Sequence, residues 1–340
     1  MRKNIFGLLP LAALLLGSCQ ADNGDNGTPD AGGLVPLMLT SAVVDGGTQP
    51  AATRTTSTAL QSTQLAANEA FNAYFGSGVI TAAGTAVTAT TYTANGSGGT
   101  TASDGSLFLA RNASSVTVNA YYGKSGGSGG TQVTSTTTSF SVGLDQSTDA
   151  GYKVSDLMYA VVSADKSIPT TTAALTFKHK MAKIIVNVTL GTGITSVTDV
   201  RIVGGKRTVN IANPTTADEA SAAYLGTTLS DDITAADNGC VKLFDGSTTA
   251  YTSTAAPLAC AALIPPQTVG ASEATAFLQV TTNTGTATYS VTDKAFASGE
   301  SYTYNITVTA AAVGLTTDIT DWDDSEDAIA LENNGTNVLQ

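Results

Sequence analysis

Few residues of this chain could do chemistry. His179 is the only histidine, and so the only side chain whose ordinary pKa lies near neutrality. It alternates with Phe177 and Met181, the pattern of an inward strand face, which predicts packing or hydrogen bonding rather than proton transfer. One histidine cannot build a His-rich metal site, and the three cysteines, Cys19, Cys240 and Cys260, have no zinc spacing. The carboxylates of Asp321, Asp323, Asp324, Glu326 and Asp327 surround the only tryptophan, Trp322. They lack the glycine and terminal glutamate of a calcium loop, so a solvated acidic turn is expected. The glycine-rich stretches at 96–99 and 126–130 match neither a phosphate loop nor a dinucleotide fingerprint and read as hairpin tips. No catalytic residue, metal or cofactor is expected, and a surface hydrolase is disfavoured because it lacks a base.

Two residues remain, Cys19 and Arg54. Arg2 and Lys3 precede an apolar run from Ile5 to Leu16, too short to span a bilayer, and residues 1–18 read as a signal peptide. The run ends Leu16-Gly17-Ser18-Cys19, which resembles a bacterial lipobox. Small residues suit a peptidase slot, and the Cys19 thiol then takes an acyl chain such as palmitate, the only membrane attachment expected. The polar segment after Cys19 cannot bury a core and reads as a tether. Its Asp22 and Asp25 resemble the acidic export signal of Bacteroidetes surface lipoproteins. With Cys19 acylated, Cys240 and Cys260 could pair, adding roughly 3 kcal/mol by chain entropy, or stand as separate buried thiols. Arg54 is the only basic residue between Lys3 and Arg111 and lies in a polar loop, where proteases cut.

The elements that must position these residues are strands. Only 12% of residues are charged, threonine, alanine, glycine and serine dominate, and no long window beyond the signal peptide carries a helical apolar stripe. At 340 residues the chain can hold two domains. A net charge of −12 excludes nucleic acid and anionic lipid as partners. In Leu34–Val44, Leu37, Leu39, Ser41 and Val43 share a face, and Pro36 places the strand at a sheet edge or makes it a strand start. Ser115–Tyr122, Ser139–Val142 and Ser155–Val162 are further strands. In Leu175–Leu190 the apolar parity flips at Met181–Ala182, which requires a bulge or a crossing between sheets. This stretch reads as the first strand of a second β-domain, with Ile184, Val186 and Val188 buried and Lys178 and Lys180 exposed. Val197–Ile202 with Thr208–Ile211, and Ala276–Thr281 with Ala287–Val291, read as hairpins, and Ser301–Val308 as a strong strand. Pro169 marks the boundary. The expected division is a tether and removable strand at 19–54, an N-terminal sandwich at 55–168, a C-terminal sandwich at 169–324 and a tail at 325–340.

Several fragments in order, Thr53-Arg54, SDLMYA from Ser155, LTFKHKMAKIIVNV from Leu175, IPPQ at 264–267, GESYTYNITV from Gly299 and ITDW from Ile319, together resemble the fimbrillin family of Bacteroidales, the Mfa-like and FimA-like major and accessory pilins. The resemblance implies an all-β fold of two tandem transthyretin-like, Greek-key β-sandwich domains. It implies surface fimbriae assembled at the outer membrane from lipoprotein precursors. An Arg-specific protease removes an N-terminal strand, and a donor strand from another pilin subunit, in a homo- or hetero-polymer, fills the groove. On this chain, cutting after Arg54 would free the strand of Leu37, Leu39 and Val43, and the tail, where Ile329 and Leu331 share a face, is the expected donor. The alternative is a non-polymerising surface lipoprotein or tip adhesin that binds a glycan or host protein, with Tyr92, Tyr121, Tyr122 and Tyr152 as candidate exposed aromatics.

Overall fold

Threonine- and valine-rich segments with period-two burial make nearly all of the regular structure in the computed structural model, which describes residues 34–43, 63–211 and 225–310 and the backbone of residues 313–321. In chain order the first strands are β1 (Val35–Val43), β2 (Ala70–Phe75), β3 (Val79–Thr81), β4 (Ala89–Ala94), β5 (Thr100–Ala102), β6 (Leu107–Leu109) and β7 (Ser115–Tyr122). Then come β8 (Lys124–Ser125), β9 (Thr131–Gln132), β10 (Ser139–Ser141), helix α1 (Asp149–Val154), β11 (Met158–Asp165) and β12 (Thr171–His179). The next are β13 (Ala182–Leu190), β14 (Val197–Ile202), β15 (Lys206–Ile211), β16 (Leu225–Asp232), β17 (Val241–Asp245) and β18 (Leu258–Ile264). The last are β19 (Gln267–Val269), β20 (Thr275–Thr282), β21 (Gly285–Val291), β22 (Lys294–Phe296), β23 (Glu300–Val308) and β24 (Val313–Asp321). The chain is all-β.

Nine strands hydrogen-bond in the order β3-β6-β1-β12-β11-β7-β2-β4-β5. β11 and β12 share only the pairs Met158↔His179 and Tyr159↔Lys178. The nine strands bend there into two layers, and side chains from both fill a first core that includes Leu39, Leu109, Phe71, Val118, Leu175 and Phe177. Phe71 lies at the centre of this core, stacked on Tyr92 at 5.6 Å and edge-on to Phe177 at 5.2 Å.

A second core lies between the sheets β18-β13-β23-β24 and β17-β14-β20-β21, with Phe140 of β10 and Val209 of β15 added from the sheet β10-β15-β16. β8 pairs with β9, and β19 with β22. The two cores share a wall. In β7, Val118 and Ala120 face the first core and Tyr121 the second; in β11, Met158 and Ala160 face the first and Tyr159 and Val161 the second. All described residues belong to one compact unit that begins at Leu34.

The parity flip at Met181–Ala182 has its cause here. Leu175 and Phe177 point into the first core, Met181, Ala182, Ile184, Val186 and Val188 into the second, so the chain crosses between sheets where the parity changes. Ile184, Val186 and Val188 are fully buried, whereas Lys178 and Lys180 are half-buried rather than exposed. Four expectations are corrected. β12 belongs to the first core, so residues 171–179 do not open a second sandwich at Pro169. Val133, Phe140, Tyr152 and Leu157 lie in the second core, although the expected N-terminal sandwich included them. β14 and β15 enter different sheets and form no hairpin. β24 is strand through Asp321, the first carboxylate of the expected acidic turn. The β20–β21 hairpin is present as expected.

Candidate functional site

The strand that sequence reasoning singles out, β1, lies inside the nine-strand array rather than at its edge. It runs parallel to β12 from Leu37↔Thr171 to Val43↔Phe177 and antiparallel to β6 from Val35↔Leu109 to Leu37↔Leu107. Past Leu37 the β6 side is taken over by loops. Thr40 bridges Gly99, the Ser41 amide donates to the Gly98 carbonyl at 2.8 Å, and the Val43 amide donates to the Thr63 carbonyl at 2.9 Å. Thr100 Oγ1 donates to the Leu39 carbonyl at 2.7 Å. The loop reaches β1 because Gly98 takes φ +83° and a Cβ on Gly99 would meet Asn95 Nδ2 at 2.5 Å. Asn95 Oδ1 closes the turn by accepting from the amides of Ser97 and Gly99.

Five β1 side chains point inward at alternate positions, Val35, Leu37, Leu39, Ser41 and Val43, each at most 6% exposed. Leu37, Leu39 and Val43 thus lie on the buried face, and the slot is two positions longer than those three residues. Met38 points outward and is 56% exposed. Removal of β1 would open a slot with hydrogen-bonding edges on both sides, a parallel one on β12 and an antiparallel one on β6.

The residues considered for chemistry are otherwise committed to structure. His179 is buried, with Nδ1 2.9 Å from Asp156 Oδ1, and ties the end of β12 to the turn after α1. The Lys180 amide donates to the Leu157 carbonyl beside it. Cys240 and Cys260 are separate buried thiols with no disulfide between them, so the paired alternative is corrected. Cys240 Sγ donates to the Asp237 carbonyl at 3.6 Å and Cys260 Sγ to the Val186 carbonyl at 3.5 Å. Burial pushes the Cys240 thiol above its ordinary pKa, which makes it a poor nucleophile. Arg201 bridges Asp199 and Asp237, and burial raises the Asp199 pKa against the pull of that guanidinium. Among the described residues no group of three or more His, Cys, Asp or Glu side chains could hold a metal ion.

The aromatic surface is also corrected. Tyr92, Tyr121, Tyr122 and Tyr152 are all buried, so none offers an exposed ring to a glycan. Cys19, Arg54, Trp322, Asp323, Asp324, Glu326, Asp327, Ile329 and Leu331 lie outside the described residues. Sequence reasoning missed the polar side chains that seal sheet edges. Gln146, buried, accepts from the Leu263 amide at 2.8 Å and donates to the Leu263 carbonyl at 2.9 Å and the Gly143 carbonyl at 3.1 Å. No local pattern marks it, because its partner is 117 residues away.

A family model described as fimbrillin-like matches residues 53–322. No curated protein sequence matches the chain. Among solved structures, a candidate cell adhesion protein from Bacteroides uniformis is 21% identical, with 86% of this chain and 100% of that one covered at a TM-score of 0.55. Another from Bacteroides ovatus is 15% identical, covering 87% of this chain and 100% of that one at a TM-score of 0.57. At these identities the likeness is one of fold.

Proposed function

Since the chain belongs to the fimbrillin-like family, we propose that it is a non-enzymatic subunit of cell-surface fimbriae. It is exported to the outer membrane as a lipoprotein acylated on Cys19. It joins other fimbrial subunits by strand exchange after cleavage at Arg54. The observation that carries this reading is the setting of β1. Its five inward side chains fill a slot between β12 and β6, yet it connects to the rest of the fold only through residues 44–62, which contain Arg54. A cut there leaves β1 held by non-covalent contacts alone. Its departure exposes an apolar slot with two unpaired backbone edges, which a strand from another subunit can fill by main-chain pairing. The four aromatics that would favour the alternative, a non-polymerising surface lipoprotein or tip adhesin binding a glycan or host protein, are Tyr92, Tyr121, Tyr122 and Tyr152, and their burial gives it no support.

Two variants test the reading in cells. Arg54→Ala should leave a longer mature form that stays monomeric, and Cys19→Ala should abolish labelling with radioactive palmitate. Deletion of Ala328–Gln340 asks whether this chain's own tail, with Ile329 and Leu331, is a donor. If Arg54→Ala still yields wild-type filaments, processing at Arg54 is not the trigger.

A further inference from the structure

We propose that β1 is a built-in imperfect occupant of its slot. The partner that replaces it is a strand of another polypeptide with alkyl side chains at all five inward positions, above all at the position of Ser41. This rests on the strand-exchange reading of the same slot. Four of the five inward residues are aliphatic, and the fourth in order is Ser41. Ser41 is 3% exposed, stands between Leu39 and Val43 and pairs with Leu175 of β12. Its amide is satisfied by Gly98, but its hydroxyl is buried without a hydrogen-bond partner among the described residues. A hydroxyl stripped of water and given no acceptor opposes burial, whereas an alkyl group in the same place favours it. The backbone pairing to β12 does not depend on side chain. An incoming strand with alanine or valine at this position therefore keeps every main-chain bond and removes the defect.

The slot also fixes direction and length. The occupant runs parallel to β12 and spans about nine residues, as β1 does. The chain's own tail fits this specification poorly. With Leu331 at the fourth position, Ile329 takes the third, but Asp327 falls where Leu37 is 6% exposed and Asn333 where Val43 is 5% exposed. Moving the tail so that Ile329 reaches the fourth position puts Asp327 at the third. Either register buries a carboxylate, and setting Ile329 or Leu331 at the first position instead buries Asn333 and Asn337. The better occupant comes from a different polypeptide.

The test uses the full chain with Cys19→Ala, cut once through a protease site inserted between residues 44 and 62. The cut protein is challenged with fluorescent peptides bearing a solubilising lysine tag. They are the β1 sequence, the same peptide with Ser41→Ala or Ser41→Val, and residues 325–340. The alanine and valine peptides should be retained about tenfold longer than the β1 peptide, and the 325–340 peptide should not displace it. Equal retention of the serine and alkyl peptides, or entry by the 325–340 peptide at the same rate, overturns the proposal. If no peptide enters, the β1 sequence included, strand exchange at this slot fails, and the proposal with it. A second measurement does not depend on exchange: Ser41→Ala in the uncut chain should raise the thermal midpoint, and a lowered midpoint overturns the claim about the pocket.

Discussion

Strands β1 and β13 each run nine residues, each lies between a parallel and an antiparallel neighbour, and each turns alternate side chains into a core. β13 pairs along nearly its whole length on both sides, with β23 from Lys183↔Ser301 to Leu190↔Val308 and with β18 from Ala182↔Ile264 to Val188↔Leu258. β1 pairs fully only with β12, since its ladder to β6 ends at Leu37 and loop carbonyls do the rest. The inward residues of β13 are Ala182, Ile184, Val186 and Val188, all fully buried, whereas β1 buries Ser41 among its aliphatics. On the strand-exchange reading proposed above, one strand is built to stay and the other to be let go. Regions held by loop contacts open at lower free energy than fully laddered strands.

The largest effect should come from the permanent strand. Ile184→Ala removes a side chain that is 0% exposed at the centre of the second core and should cost about 2–5 kcal/mol in denaturant unfolding. A loss below about 0.5 kcal/mol would mean that β13 is no more embedded than a surface strand, and the contrast with β1 would collapse.

The next effect is smaller and concerns how the edges are closed. Gln146→Leu keeps the volume but leaves the amide and carbonyl of Leu263 without the side chain that satisfies them. Unmet buried groups of this kind cost about 1–3 kcal/mol. β1 has no such dedicated amide among the described residues, because its open side is met by the backbone of Gly98 and Thr63 and by the Thr100 hydroxyl. If Gln146→Leu unfolds at the wild-type denaturant concentration, β18 is sealed by something other than Gln146.

How much of this could be read from the sequence follows from which interactions are local. Alternation is local, so the inward faces of β1, β13 and β23 are legible, and so is the break at Met181–Ala182. Which strand lies beside which is decided across the whole chain. Pro36 suggests a sheet edge or a strand start, and the second is what occurs: it lies at the second residue of the strand, and β6 continues past it because a proline lacks only one donor. Leu175 and Phe177 read as the start of a second domain because they precede Ile184 in sequence, yet Phe177 packs on Phe71 of the first core. Helix α1, with Thr148 as its N-cap, is too short to carry a readable stripe. The polar residues that matter most, Ser41, Gln146 and the His179–Asp156 pair, depend on partners, or the lack of them, that no spacing discloses.

Acid should narrow the contrast, because it weakens the β13 side and leaves β1 unaffected. Asp245, at the end of β17 in the sheet facing β13, has its carboxyl pushed down to about 2 by the Ser247 amide and hydroxyl and by the Lys242 ammonium. A carboxylate with a lowered folded pKa adds stability above its unfolded value near 3.8, and that stability is lost as pH falls towards 2. Its side chain is 33% exposed, so screening keeps the contribution below about 1 kcal/mol. β1 carries no titratable side chain. Asp245→Asn should therefore be slightly less stable than wild type above pH 4, with the gap closing as pH approaches 2. A gap that stays constant across that range would remove the carboxylate from the explanation.

The smallest effect expected is on the outer face of β1, where the contrast with β13 inverts. The outward side chain near the start of β13 is Lys183, a charged residue 1% exposed and covered by the fold. The outward side chain at the middle of β1 is Met38, an apolar residue 56% exposed. Covering a strand on both faces makes it permanent, while leaving one face to water means that its departure exposes only one face of its neighbours' pockets. Met38→Thr exchanges an exposed thioether for a β-branched side chain that suits a strand, so stability should change by less than about 0.5 kcal/mol. Thermal unfolding of the purified full-length Cys19→Ala protein measures it. A loss above about 1 kcal/mol would show that the outer face of β1 is covered in solution, and β1 would then be held on both faces as β13 is.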